Sequence, residues 1–141
     1  SETDRLATIE AVRDGTIDIV SSMHTPQDEE SKRLPFEEAA SGAIGLETIL
    51  TAMLRLYHSN QLQMDQIFTA ISLNPAKRLG ISGGSLSHNE PADLVIFDAD
   101  KPLILERERL HSKVKNTPFD GQKLQGRVLK TYVQGREVFS L

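Results

Sequence analysis

SSMHTPQDEESKRLPFEEAASGAIGLE, residues 21–47, governs the reading of this chain. It follows a short apolar run, Ile17 to Val20, that reads as a buried strand over Ile17–Ser21. A polar, charged segment comes next, broken by Pro26 and Pro35. Gly42 and Gly45 then lead into an apolar segment with helical spacing. The order is strand, long loop, helix. In parallel α/β proteins the loops that leave the carboxyl ends of strands bind ligands. A long loop inside a compact domain is more often functional than idle.

Outward from this loop, the N-terminal side reads as a helix over Ser1–Arg13, with Leu6, Ile9 and Val12 on one face. Ser1 or Thr3 can cap it, and Asp14-Gly15 ends it. A helix followed at once by a buried strand is the rhythm of a parallel α/β protein. One strand makes no sheet, so its neighbours are expected outside these residues or in another copy. On the C-terminal side, Leu46–Tyr57 reads as the strongest helix, with Leu46, Ile49, Leu50, Met53, Leu54 and Tyr57 on its inner face. Asn60 suits its C-terminal cap. Met64–Ser72 reads as another helix, with Ile67, Phe68 and Ile71 inward. Asn74-Pro75 opens a short third one that Gly80 closes.

The composition changes at Gly83. Asp93–Asp98 and Pro102–Glu106 read as extended segments, and Val128–Val133 and Glu137–Phe139 flank a Gln134-Gly135 hairpin turn. The second half is therefore β-rich.

Composition narrows the function classes. The chain has 141 residues, 38% apolar and 26% charged, which suits a soluble globular domain. A net charge of −4 gives no electrostatic footprint for nucleic acid. With no Cys, disulfides and thiolate metal sites are excluded, which fits a cytoplasmic protein. The longest apolar runs, such as Ile49–Leu54, are too short to span a bilayer, and no signal peptide is evident.

Several segments together resemble the dihydroorotase family of cyclic amidohydrolases. The first is SMHTPQDEESKRLPFEEAASGAIGLET at 22–48, where that family usually shows T-D-H-A-P-H and, later, G-x-E-T. NPAKRLG at 74–80, PADLVIFD at 91–98, KNTPFDGQKLQGRV at 115–128 and the closing TYVQGREVF follow in the family order. The family protein is much longer, and this chain looks like its C-terminal third, opening in a helix as an internal piece would. The resemblance implies an α/β fold: the C-terminal fragment of a TIM (β/α)8 barrel over residues 1–81, then part of a small accessory β-sandwich over 82–141. It implies a protein of pyrimidine biosynthesis that interconverts N-carbamoyl-aspartate and dihydroorotate. The alternatives are a non-catalytic dihydroorotase-like subunit partnering aspartate carbamoyltransferase and a hydantoinase-like enzyme. KNTPF speaks for the dihydroorotase branch. The chain is expected with the rest of its parent or as a packed oligomer.

The resemblance also places the site. The family's catalytic Asp, which moves a proton, falls on Met23, and a substrate-binding His falls on Gln27. A thioether carries no such proton, and Gln brings hydrogen bonds but no charge. Ser41 and Gly42 match a turn whose backbone approaches the substrate; alternatively, Gly42 and Gly45 only shape the opening of the helix. His24 is either an ordinary hydrogen-bonded loop residue or part of the site. The run Asp28, Glu29, Glu30, Lys32, Arg33 reads as a solvated face. The family's binuclear zinc is held mainly by His and a carboxylated Lys from earlier barrel strands. His58, His88 and His111 show no ligand spacing, so no metal is expected in this fragment.

Overall fold

A computed structural model describes residues 1–141. In chain order it contains α1 (Glu2–Arg13), a long loop holding the single-turn α2 (Glu29–Lys32), and α3 (Ile49–His58). Then come α4 (Met64–Phe68), a π-helical turn (Thr69–Leu73) and α5 (Asn74–Leu79). The strands β1 (Leu94–Ile104), β2 (Lys123–Val133) and β3 (Arg136–Ser140) form one antiparallel sheet in the order β1-β2-β3.

Local chemistry explains most of these elements. Ser1 and Asp4 form a reciprocal capping box at the start of α1, and Asp14 follows its last turn before Gly15 at φ 82°. Residues 64–79 form one helical run rather than two. Pro75 has no amide to give and its ring crowds the preceding turn. The Asn74 amide reaches back to the Thr69 carbonyl, a wider turn that relieves this crowding. Gly80, at φ 66°, closes the run. Gln134 (φ 50°) and Gly135 (φ 75°) both adopt left-handed backbone, which a two-residue hairpin requires. The Asp93 carboxylate accepts from the Gln134 amide at 2.7 Å and pins this tip to the start of β1.

Three sequence expectations change in this structure. Ile17–Ser21 is not a strand here. Its polar backbone is taken up by helices instead: the Val20 amide donates to the Ala70 carbonyl at 3.0 Å, and Asn74 Nδ2 donates to the Asp18 carbonyl at 2.8 Å. A strand exists only through a neighbour's ladder, and these residues supply none. The strong helix starts at Ile49 rather than Leu46 because Gly45–Thr48 forms a turn, with the Thr48 and Ile49 amides both donating to the Gly45 carbonyl. That turn leaves Leu46 exposed. The strands are longer than expected. Asp98 Oδ1 accepts from the Asp100 and Lys101 amides, and the bulge so formed joins the two extended segments into β1.

The core lies between α1, α3 and α4. Ile9, Met53, Leu62 and Ile67 form its centre, with Val12, Val20, Ile49, Leu56, Tyr57 and Ile71 around it. The opposite side of α3 packs on β2. There Leu54 is fully buried, and a Cβ on Gly126 would overlap its Cδ1. The segment between β1 and β2 folds back on the first half of the chain. Ile44 donates its amide to the Asn116 carbonyl at 2.9 Å, and Glu47 Oε1 accepts from the His111 amide at 2.8 Å. Only 13 of 141 residues are buried, so Leu79, Ile81, Leu86, Ile104 and Val138 remain as exposed apolar surface.

Two outcomes follow from this packing. Gly126→Ala is expected to destabilise the protein by roughly 1–3 kcal/mol, because the added Cβ would overlap the fully buried Leu54 side chain and position 126 has φ 101°. Denaturant unfolding checks this, and an unchanged midpoint would contradict the packing. The second concerns Asp28, which caps α2 by accepting from the Ser31 amide at 2.8 Å; this bond holds its carboxyl below the ordinary 3.8. A depressed folded-state pKa means the cap stabilises above the unfolded value and is lost as pH falls through the folded one. Carboxyl NMR of Asp28 should therefore give a midpoint below 3.8, whereas a midpoint at or above it contradicts the cap.

Candidate functional site

The loop from Ser22 to Thr48 is built by two close approaches of its own legs. At Gly42, φ is 122° and a Cβ would stand 2.6 Å from the Thr25 carbonyl oxygen. At Gly45, a Cβ would overlap the Ser22 carbonyl. Only glycine fits both places. The Thr25 amide donates to the Ala43 carbonyl at 2.9 Å across the same gap. Gly42 thus shapes the path into α3 by letting backbone touch backbone.

His24 lies beside this contact. Its Nδ1 accepts from the Gly45 amide at 3.0 Å and from the Leu46 amide at 3.4 Å. It is a hydrogen-bonded, half-buried loop residue. Met23 precedes it with φ 43°, a left-handed conformation uncommon for a side chain of this kind. Ser21 Oγ accepts from the Met23 amide, and Thr25 Oγ1 donates to the Met23 carbonyl at 2.8 Å. These bonds fix the backbone while the Met23 side chain stays 75% exposed.

Met23 and Gly42 are brought together through Thr25. Gln27 is half-buried and Ser41 exposed; they lie just beyond that contact on opposite legs, and no hydrogen bond joins them. The charge run behaves as a solvated face in part. Glu29 and Arg33 form an exposed ion pair at 2.8 Å, of little worth in water. Lys32 instead turns inward and donates from Nζ to the Ala40 carbonyl at 2.6 Å, tying the loop's outer portion to its return leg.

Sequence reasoning missed Asn116 and Glu47. Asn116 Nδ2 donates to the Gly42 carbonyl at 2.8 Å while its own carbonyl takes the Ile44 amide. One residue thus grips both sides of the loop's return leg from more than seventy residues away. Asn116 belongs to the KNTPF motif, so the motif marked the right place without disclosing its contact. Glu47 holds the His111 and Ser112 amides on the same side.

These residues contain no group of three or more His, Asp or Glu side chains placed to hold one ion. His24 has committed one ring nitrogen to backbone amides. The donor set on this chain therefore does not make up the zinc centre that the resemblance implies. No helix is long and apolar enough to cross a membrane.

Comparison with known proteins agrees along the whole chain. The dihydroorotase of Wolbachia sp. subsp. Drosophila simulans (strain wRi) is 39% identical over 140 residues, covering 99% of this chain and 32% of that protein. The dihydroorotase of Lactococcus lactis subsp. lactis (strain IL1403) is 40% identical over 140 residues, covering 99% and 33%. The chain thus spans about a third of the length of these curated relatives. In three dimensions it is similar to the D-hydantoinase of Bacillus sp. AR9, with a TM-score of 0.90 at 24% identity, covering 99% of this chain and 32% of that one. The L-hydantoinase (dihydropyrimidinase) of Arthrobacter aurescens gives 0.87 at 30% identity, covering 94% and 31%. Residues 1–138 match the Amidohydrolase family. With sequence and fold agreeing over the same residues, the chain belongs to the amidohydrolase family and is similar in sequence to its dihydroorotases.

Proposed function

We propose that this chain is part of a dihydroorotase-type protein of pyrimidine biosynthesis. In this reading residues 1–81 are the end of a (β/α)8 barrel and 82–141 part of an accessory β-sandwich. The ladder-free Ile17–Ser21 segment is where the last barrel strand would run, with its neighbours supplied by the rest of the parent. The exposed Leu79, Ile81 and Leu86 support an extensive partner surface, either the rest of that chain or further copies. A cytoplasmic setting accompanies the pathway.

The observation that carries the functional reading is the state of position 23. The loop presents this side chain outward at a fixed backbone, where the family pattern has a proton-moving Asp. Interconverting N-carbamoyl-aspartate and dihydroorotate moves a proton to or from the ring nitrogen. A group that does this must exchange a proton near neutral pH within hydrogen-bond reach. The Met23 thioether has none to exchange. Gln27 brings no charge to the substrate carboxylate. The site keeps its scaffold and a place to bind, without its acid–base group.

The same observation favours a second reading, a non-catalytic dihydroorotase-like subunit whose role is structural, with aspartate carbamoyltransferase as its partner. Both readings predict a loss of turnover on the order of 10²–10⁴ relative to an acid–base-competent site. The test is to purify the full-length protein with zinc and assay ring closure and ring opening. Little or no turnover is expected, and turnover at ordinary enzyme rates refutes the loss of acid–base function.

A further inference from the structure

His24 is the obvious neighbour to ask whether another residue could take over the proton step at position 23. The geometry answers it. A backbone amide can only donate, so the two amides that meet His24 Nδ1 require that nitrogen to be an acceptor. The ring hydrogen then sits on Nε2. The chain contains no buried side-chain nitrogen lacking a partner, and His24 Nε2 makes no hydrogen bond within the chain, so Nε2 is open to solvent. A base working through this ring would have to receive a proton at Nδ1, where two N–H groups already point. Nε2 is open but already carries a hydrogen.

We propose that His24 is a positioning residue: the latch that closes the loop onto the opening of α3, fixed by that role as a hydrogen-bond donor at Nε2 and unable to replace a base at position 23. The latch acts on a defined piece of chain. His24 and Gly45 bracket the twenty residues that carry Gln27, α2, Ser41 and Gly42, so releasing Nδ1 frees both ends of this segment relative to each other. The remaining ties are the Thr25–Ala43 bond, the Ala40–Ser31 backbone bond, the contacts of Lys32 Nζ with the Ala40 and Gly42 carbonyls, and the grip of Asn116. The inference rests on the dihydroorotase-type reading only for what position 23 would do; the latch itself is independent of it.

Asn and Gln separate the two ring nitrogens, because an Asn oxygen can occupy the place of Nδ1 and a Gln nitrogen the place of Nε2. The test uses the full-length protein, His24→Asn, His24→Gln and His24→Ala, with brief trypsin treatment and mass spectrometry of cleavage after Lys32 and Arg33. His24→Asn should be cleaved at the parent's rate. His24→Gln and His24→Ala should be cleaved about fivefold faster or more, with cleavage elsewhere unchanged. A general loss of packing would instead speed cleavage in all three variants, His24→Asn included, and at other sites as well. Imidazole nitrogen NMR of the unmodified protein gives the second readout, which no folding failure of a variant can obscure. An acceptor-type Nδ1 and a hydrogen-bearing Nε2 are expected. A hydrogen on Nδ1, or His24→Asn cleaved as fast as His24→Ala, overturns the latch. Neither readout uses turnover, so an active parent would refute the functional reading while leaving the latch to stand or fall separately.

Discussion

Backbone touching backbone at Gly42 and Gly45 is the constraint on which the site depends. Where a loop must fold back within reach of its own carbonyls, any Cβ is an obstruction, and two glycines remove it. The approach leaves amides and carbonyls that need partners. Thr25, His24 and Asn116 supply them, one from the outgoing leg, one from a side chain beside it and one from the far half of the chain. The loop is thus held from three directions. Met23, at the start of its outgoing leg, stays exposed on a backbone that its own side chain does nothing to fix.

This arrangement separates scaffold from chemistry. The contacts that set the loop involve main chain, His24, Asn116 and Lys32, and none uses the side chain at position 23. A change of side chain there can leave the loop's shape intact. The fold of the loop does not depend on the side chain at position 23.

Elements with strong local signals were legible in the sequence. The capping Ser1 and the Gln134-Gly135 turn each act over a few residues, and each is where the pattern placed it; the helical spacing of α3 was legible too, from Ile49 onward, although its apolar residues divide between two packing partners. Five segments, each weak alone, are specific together because they stand in the family order. What stayed hidden depends on distance. Ile17–Val20 has the composition of a strand, but the ladder that makes a strand must come from other residues. The π-helical turn arises from an argument between Pro75 and the helix before it, not from a sequence pattern. The grip of Asn116 on Gly42 and Ile44 joins residues from opposite halves, for which no spacing rule exists. Lys32 lay in a charged run that reads as solvated, and only the fold shows that one member turns inward.

The loop is a closed, cross-braced structure and not a mobile excursion. Amide hydrogen exchange on the full-length protein tests it most directly. The Thr25, Ile44 and Gly45 amides donate to Ala43, Asn116 and His24, whereas the Glu37 amide on the outer turn has no such partner. The account predicts exchange at these three positions slower than at Glu37 by on the order of tenfold or more, after correction for intrinsic rates. Exchange at Gly45 and Ile44 as fast as at Glu37 would contradict it.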